Sequence, residues 1–212
     1  MHIAAASLTV RKPSNPARQT AVHVAIAWRN ETSGSLAFVE ALPPAVRLTP
    51  ADQFWKAWPA GTTFYRGWVR DPLIRRAYGR RAADIALAQL DVPYASAFGP
   101  PPREFYCSSL VEWSYAQAAS TPSFFVDAPF RLIFTPRAFW ERYYAAQNIT
   151  LPQNQTGSNP TLLLHSRHAQ FADLGAVDGT DRPEPPPLEP PPELAAQPSP
   201  GTARRRGTTF DI

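Results

Sequence analysis

Hydrophobic and polar positions alternate strictly over residues 22–28, which predicts a β-strand. The apolar face carries Val22, Val24, Ile26 and Trp28. The opposite face carries His23, with Ala25 and Ala27 as its only neighbours along the strand. These small neighbours leave room for another element to approach the imidazole, so His23 is a candidate base.

A second predominantly apolar segment, residues 36–41, predicts a strand that follows a turn segment at residues 29–35. A hairpin of this spacing places Glu40 directly opposite His23 and on the same face. A carboxylate in that position fixes the imidazole tautomer and stabilises the imidazolium. The same register places Ala25 opposite Phe38, and Ala27 opposite Leu36.

The chain has one cysteine, Cys107, at a predicted junction between a loop and a helix. Prolines at residues 100–102 exclude a helix interior there, whereas residues 110–119 have helical character. A thiol in a first helical turn faces unpaired N–H groups and the positive end of the helix dipole, and both favour thiolate. One helical stripe, expected to face the core, contains Cys107, Val111, Ser114, Tyr115 and Ala118.

Each candidate also has a structural interpretation. A lone cysteine such as Cys107 is commonly a small buried hydrophobe, and a strand histidine such as His23 is commonly a satisfied core residue. Glu40 could equally be an edge-strand carboxylate in water. The catalytic interpretation therefore depends on all three residues coming together.

The remaining pattern predicts an α+β domain. A short helix is predicted from Thr49 to Trp58, a strand over residues 61–69, and helices beginning at Asp71 and at Thr135. Residues 124–134 are apolar and interrupted by proline, and are assigned to a strand or a lid. One domain is expected over residues 1–175, and nine prolines between residues 183 and 200 predict a disordered tail over residues 181–212.

Composition and charge exclude several classes. A chain of 212 residues with 44% hydrophobic content suffices for one core. A single cysteine excludes an internal disulfide framework. His165 and His168 lack cysteine companions and a carboxylate at zinc-ligand spacing, and no Gly-rich phosphate loop occurs, so neither a metal nor a cofactor is implied.

The net charge of +4 is modest. Six arginines lie in or beside one predicted helix, at Arg66, Arg70, Arg75, Arg76, Arg80 and Arg81. We expect most of them to face solvent, with no nucleic-acid partner, although attraction to anionic lipid at the membrane periphery stays open. No segment reaches the roughly 18 apolar residues of a membrane span, and residues 1–8 are too short for a signal peptide. A cytoplasmic protein is favoured, with export left open.

The candidate residues occur in a recognisable order. The sequence resembles the circularly permuted branch of the papain-like, NlpC-type cysteine hydrolases, a group related to lecithin retinol acyltransferase. The resemblance covers roughly residues 20–170, and a further G-x-N-P echo lies at residues 157–160. The matching segments are residues 23–26 (H-V-x-I), 40–41 (E-A), 93–94 (P-Y) and 106–111 (Y-C-S-x-L-V).

By this resemblance, Cys107 is the nucleophile, His23 the general base and Glu40 its orienting partner. Tyr94 and Tyr106 are candidates for binding the oxyanion or the substrate, with the backbone N–H of Cys107 as a second donor. A structural role for Tyr94 stays open.

Two departures from the family pattern stand out. Relatives usually begin with a G-D-[LIV]-[LIV]-F strand, for which residues 7–11 are a degenerate substitute unless the start of the chain has lost residues. Ser109 occupies the position where relatives often carry Glu, which puts a local hydrogen bond in doubt.

The sequence therefore predicts a thiol hydrolase that cleaves an amide through a Cys thioester. The substrate would be a small peptide, a cell-wall fragment or a lipid-like molecule. Acyl transfer or lipid-amide hydrolysis by the same triad is the first alternative, and we expect it to bring four phenylalanines together near Cys107. These are Phe124, Phe125, Phe130 and Phe134. A non-catalytic module that binds lipid or peptide is the second alternative, and it would follow if Cys107 and His23 lie beyond hydrogen-bond reach.

Overall fold

The computed structural model describes residues 21, 23–58, 62–126, 130–134 and 136–177. Its strands are β1 (Ile26–Arg29), β2 (Leu36–Leu42), β3 (Ala45–Pro50), β4 (Thr62–Val69), β5 (Phe130–Arg131), β6 (Thr156–Gly157) and β7 (Ala169–Val177). Its helices are α1 (Ala51–Lys56), α2 (Pro72–Leu87), α3 (Cys107–Ala119), α4 (Arg137–Ala145) and α5 (Pro160–Leu164). Helices combined with antiparallel strands confirm the predicted α+β class. The predicted tail at residues 181–212 and the segment at residues 7–11 lie outside the described residues.

Strands β1, β2 and β3 form one antiparallel sheet, β4 pairs with β7, and β5 pairs with β6. In the hairpin of β1 and β2, Ala27 lies opposite Phe38 and Arg29 lies opposite Leu36. The predicted register, with Ala27 opposite Leu36, is therefore wrong by two residues. A shift of two keeps every side chain on its predicted face, because the strand period is two.

The turn explains the shift. The Asn30 side chain accepts hydrogen bonds from the N–H groups of Thr32 (2.9 Å) and Ser33 (3.0 Å). Gly34 adopts a positive φ of 71° and donates its N–H to the Asn30 carbonyl, a conformation that favours glycine. These bonds centre the turn further along the chain than the symmetrical placement that the sequence suggested.

The predicted start of α2 is confirmed, whereas α1 runs from Ala51 to Lys56 rather than from Thr49 to Trp58, because β3 continues through Pro50. The Asp71 side chain caps α2 by accepting from the N–H groups of Leu73 (2.8 Å) and Ile74 (3.1 Å), and Pro72 is the first helical residue. Helix α3 begins at Cys107 and ends at Ala119, and its C-cap residue, Ser120, has the left-handed φ of 55°.

Helix α3 forms the main core against the three-stranded sheet. Val24 and Ile26 on the first strand segment and Val39 on β2 pack in one buried cluster with α3. Three alanines of α2 complete this cluster and allow α2 to approach α3 closely. The α3 members are Cys107, Leu110, Val111, Tyr115 and Ala118, so the predicted core-facing stripe is confirmed apart from Ser114, which is buried as well.

The opposite face of the sheet is also buried. Ala25, Ala27 and Phe38 pack there against Phe54 of α1 and Phe64 of β4. Because this face carries His23 and Glu40 in the strand alternation, these two polar residues lie in an apolar layer.

Of the six arginines in or beside α2, half are exposed, at Arg70, Arg76 and Arg81, so the expectation that most of them face solvent is met only in part. Arg66 differs, because it is buried with its guanidinium over the Trp68 ring at 5.6 Å. Within the described part of the chain, every helix is too short or too polar to cross a membrane.

Candidate active site

Glu40 lies in the middle of β2 and is only 1% exposed. One carboxylate oxygen, Oε1, accepts hydrogen bonds from Thr49 Oγ1 at 2.6 Å and from Arg47 Nε at 3.1 Å. Arg47 lies directly opposite Glu40 in the pairing of β2 with β3, and Thr49 follows on the same face. The second oxygen, Oε2, is left for another partner.

That partner is His23, whose Nε2 lies 2.9 Å from Glu40 Oε2. His23 precedes β1 and is 3% exposed. Extending the observed register makes His23 a diagonal neighbour of Glu40 rather than its direct partner, which is within reach of two long side chains. The predicted pair is therefore formed, although not in the predicted register.

The two residues alter each other's protonation. Burial by itself would lower the pKa of His23, but hydrogen bonds with Cys107 and Glu40 and the negative charges of both groups raise it to about 9. Burial would likewise raise the pKa of Glu40. Hydrogen bonds from His23 and Thr49, and the charges of His23 and Arg47, lower the pKa of Glu40 below its usual value. The arrangement favours an imidazolium beside a carboxylate.

An aromatic wall encloses the imidazole. The Trp58 ring centroid lies 5.1 Å from that of His23, and the Phe54 centroid lies 6.5 Å from it. Apolar rings exclude water and so strengthen the electrostatic interactions of His23. Sequence reasoning placed Trp58 only at the end of a short helix and missed this contact.

Cys107 is the first residue of α3 and is buried. Its helix start is fixed by Ser109, whose Oγ accepts the Tyr106 N–H at 3.0 Å and donates to the Tyr106 carbonyl at 2.9 Å. The first of these is the hydrogen bond that a Glu at this position of a capping box makes. Serine thus makes the local hydrogen bond that the sequence had put in doubt.

Two backbone hydrogen bonds hold the segment around Tyr94 beside the start of the cysteine helix. Ala95 N–H donates to the Phe105 carbonyl at 2.9 Å, and Phe105 N–H donates to the Pro93 carbonyl at 3.0 Å. Burial raises the pKa of Tyr94, and the negative charge of Cys107 raises it further, so the phenol lies within electrostatic range of the sulfur. The bridge between Tyr94 and Phe105 thus places Tyr94 near the start of the cysteine helix.

Tyr106 is placed differently. Its side chain is 4% exposed, its ring packs against Phe98 at 4.8 Å, and its Oη accepts the Ser158 N–H at 2.8 Å. Burial raises the pKa of Tyr106 and keeps the phenol neutral. Tyr106 thus lies inside the fold, at the start of the cysteine helix.

Sequence reasoning missed the two residues that hold Glu40 Oε1. Arg47 and Thr49 are separated by one residue, which is the spacing of a strand face. The signal was present in the alternation, but it has meaning only once residues 45–50 are assigned to a strand that pairs with β2. The prolines at residues 43–44 obscured that assignment.

The fold is similar to that of a solved structure, metalloprotein yiiX from Escherichia coli O157:H7. The sequences are 15% identical, the TM-score is 0.57, and the match covers 81% of this chain and 96% of the other. At this identity the likeness concerns the fold alone.

The relative is called a metalloprotein. Within the described residues of this chain, no three His, Cys, Asp or Glu side chains come together in a way that could hold a metal ion. The side chains present in this part of the chain therefore do not fit a metal.

No curated protein matches the sequence. A family model described as permuted papain-like amidase enzyme, YaeF/YiiX, C92 family, matches residues 6–171. This match spans most of the chain and includes the cysteine helix, both strands of the His23–Glu40 pair and Tyr94. The chain therefore belongs to the permuted papain-like amidases of the YaeF/YiiX, C92 family, and it is an enzyme of the cysteine peptidase and amidase type.

Proposed function

We propose that the protein hydrolyses an amide bond through a thioester on Cys107, with His23 as general base and Glu40 as the orienting carboxylate. The observation that carries this proposal is the buried imidazole of His23, which is hydrogen-bonded to Glu40 and whose pKa is raised by its interactions with both Cys107 and Glu40. A base that contacts both a nucleophile and an orienting group is the arrangement that covalent catalysis requires.

The proton moves in a closed cycle. His23 takes the proton of the Cys107 thiol, and the sulfur attacks the carbonyl carbon to form a tetrahedral intermediate. His23 then gives this proton to the leaving nitrogen as the C–N bond breaks, which leaves a thioester and a free amine. Water attacks the thioester, His23 accepts the proton of the water, and the released thiolate regains it as the carboxylic acid leaves.

The ring nitrogens of His23 support these roles. Nε2 is bonded to Glu40, which leaves Nδ1 as the nitrogen for the thiol proton. Glu40 stabilises the imidazolium that forms when His23 is protonated. Because Thr49 and Arg47 occupy Oε1, the carboxylate cannot rotate away from the imidazole without losing two hydrogen bonds.

Two donors are proposed for the oxyanion. The Cys107 N–H lies in the first turn of α3, where backbone N–H groups lack intrahelical partners. Tyr94 would supply the second donor, since its phenol lies within electrostatic range of the sulfur. The expected result for Tyr94→Phe is slower acylation by an activated ester with unchanged alkylation by iodoacetamide, and equal acylation rates would remove Tyr94 from this role.

The alternatives receive less support. Phe124 and Phe125 pack around Tyr115, whereas Phe134 packs against Phe98 in a separate cluster. The described rings therefore do not form the single apolar groove expected for acyl transfer to or from a lipid-like molecule. The interaction with Cys107 that raises the pKa of His23 argues against a non-catalytic binding module. A peptide amide, free or within a cell-wall fragment, is the substrate that we favour.

The test is the pH dependence of Cys107 alkylation by iodoacetamide in the wild type and in His23→Ala. Since an ordinary cysteine ionises near pH ~8.5, we expect the wild type to show a reactive plateau that begins well below this value. The plateau should disappear in His23→Ala, because the imidazolium no longer stabilises the thiolate. Mass spectrometry of the quenched reaction gives the rate at each pH.

A wild-type profile with no plateau at low pH, and indifferent to His23→Ala, would overturn the proposed mechanism. Chemical probes with an activated amide or ester then give the second readout. A covalent adduct on Cys107 that releases its acyl group to water supports hydrolysis, whereas release only to an added amine or alcohol would favour acyl transfer.

A further inference from the structure

Nucleophile and base come from distant parts of the chain, and one short segment contacts the elements that carry both. We call residues 157–161 the clamp segment, since it includes Gly157, Ser158, Asn159, Pro160 and Thr161. The mechanism described above uses none of its residues. Ser158 joins this segment to the residues that flank Cys107, and Thr161 joins it to the chain that leads to His23.

Towards the nucleophile, Ser158 makes two hydrogen bonds. Its N–H donates to Tyr106 Oη at 2.8 Å, and its Oγ donates to Ser108 Oγ at 3.1 Å. Tyr106 and Ser108 are the residues immediately before and after Cys107, and all three of these contact residues are buried. Ser158 therefore holds the chain on both sides of the nucleophile.

Towards the base, Thr161 makes a two-way contact with Ala21. Thr161 Oγ1 accepts the Ala21 N–H at 3.1 Å and donates to the Ala21 carbonyl at 3.2 Å. Ala21 lies two residues before His23 and is buried. Thr161 thus fixes the chain that leads into the base, although the two residues are 140 positions apart.

The two contact points are held at a fixed separation within the clamp segment. Asn159 Oδ1 accepts the Leu162 N–H at 2.7 Å and so caps α5, with Pro160 as its first helical residue. At Gly157, an added Cβ would lie 2.9 Å from Tyr106 Oη and 2.9 Å from Leu132 Cδ2. Only a residue without a side chain lets the segment approach Tyr106 this closely.

We infer that Ser158 and Thr161 are positioning residues that together set the distance between the Cys107 sulfur and the His23 imidazole. This inference rests on the proposed function, since it gives the clamp segment the task of aligning that thiol–imidazole pair. The physical reason is that proton transfer needs hydrogen-bond distance, and a displacement of about 1 Å lowers a rate roughly 100-fold. One rigid segment bonded to both supports prevents such a displacement.

The test compares Ser158→Ala and Thr161→Val with a matched control. Ser166→Ala is suitable, because Ser166 is also buried and also donates one hydrogen bond, to the Phe125 carbonyl at 2.8 Å, but contacts neither support. Thr161→Val keeps the shape of the side chain while it removes both hydrogen bonds to Ala21. Thermal unfolding of each variant is measured beside its alkylation profile.

We expect both clamp variants to lose the low-pH alkylation plateau and to react about 10- to 100-fold more slowly at pH 7. Ser166→Ala should keep the wild-type profile at a similar loss of thermal stability. Thr161→Ser retains the hydroxyl and should restore the plateau, a rescue that a general loss of stability does not give. If Ser158→Ala fails to fold, Thr161→Val decides the test, because the Thr161 hydroxyl bonds to Ala21 and not to the cysteine helix.

Wild-type profiles in folded Ser158→Ala and Thr161→Val, or a change no larger than that of Ser166→Ala, would overturn the inference while the proposed function stands. A wild-type profile that does not depend on His23 is a separate outcome. It would remove the proposed function itself, and with it the thiol–imidazole pair that the clamp segment is inferred to align.

Discussion

The two halves of the site are supported in contrasting ways. The base side consists of Glu40, Arg47 and Thr49 on strands β2 and β3, and of His23, which lies just before β1. The nucleophile side consists of Cys107, its neighbours Tyr106 and Ser108, and Ser158, which lies 50 positions away from Ser108. Local strand pairing builds the first half, and long-range contacts fix the second.

This difference indicates which property of the site each half controls. On the base side, antiparallel pairing brings a carboxylate to an imidazole 17 positions away, and two β3 side chains hold its other oxygen. On the nucleophile side, the helix start presents the sulfur, but its orientation relative to His23 depends on the clamp segment. Substitutions on the base side should therefore change charge and protonation, whereas substitutions on the nucleophile side should change distance.

The largest effect is expected for Glu40→Gln. This change keeps the shape of the side chain but removes the charge that stabilises the His23 imidazolium, so acylation of Cys107 by an activated ester should slow by about 100-fold or more. The wild-type plateau in alkylation should move to higher pH at the same time. Stopped-flow acylation and iodoacetamide profiles measure the two changes.

Glu112→Gln is the matched control for that variant. Glu112 is a half-buried carboxylate that accepts the N–H groups of Phe124 and Phe125 instead of pairing with the imidazole. Glu112→Gln should leave the acylation rate and the alkylation profile unchanged, although it should weaken the loop that Glu112 holds. Equal effects of the two substitutions would show that Glu40 supports only stability.

The two side chains that donate to Glu40 Oε1 should contribute unequally to stability, and we expect these effects to be of intermediate size. Thr49→Val leaves a buried carboxylate with one hydrogen bond fewer, and we expect a loss of about 1.5–3 kcal/mol in the free energy of unfolding. Arg47→Gln should cost less than about 1 kcal/mol, because the Arg47 side chain is 46% exposed and its charge is screened. Urea unfolding at pH 7 measures both, and the reverse order would mean that the Arg47 charge dominates.

The smallest effect is a pH dependence of stability. Since the folded-state pKa of His23 is raised from 6.5 to about 9, its contribution is fully present below pH 6.5 and is lost as the pH rises towards 9. The lowered pKa of Glu40 acts in the opposite direction, so its contribution is present above 4.5 and lost on acidification. The pair should contribute most between these two limits.

Urea unfolding of the wild type and His23→Gln at pH 6, 7.5 and 9 tests this expectation. The stability difference between the two proteins should shrink steadily as the pH rises. Cys107→Ser should weaken this dependence, because Cys107 contributes the largest of the interactions that raise the pKa of His23. A difference that grows with pH would contradict the protonation states assigned to the pair.

Much of the site followed from local pattern. Alternation placed His23 and Glu40 on one strand face, and the proline segment followed by helical residues placed Cys107 at a helix start. The detailed register did not follow, because the Asn30 and Gly34 hydrogen bonds displaced the turn. The prediction survived that error only because a shift of two residues preserves the faces of a strand.

Other features had no local signal. The Trp58 ring packs at a tilt beside His23 because α1 packs over the second face of the sheet, and nothing in the segment around Trp58 indicates that contact. Ser158 lies in a short motif that resembles a family segment, and Thr161 directly follows it, but the motif does not reveal which elements these residues contact. Those partners lie between 50 and 140 positions away along the chain.

The chemical groups of the site, and the strand and helix faces that carry them, can be read from the sequence, because strand and helix periods are local properties of the chain. The distances between these groups come only from the folded chain. They include the diagonal contact of His23 with Glu40, the two bonds that fix Glu40 Oε1, and the contacts of the clamp segment with the supports of base and nucleophile. The physical reason is that these distances depend on turn geometry and on packing between segments far apart in the chain, which no local pattern specifies.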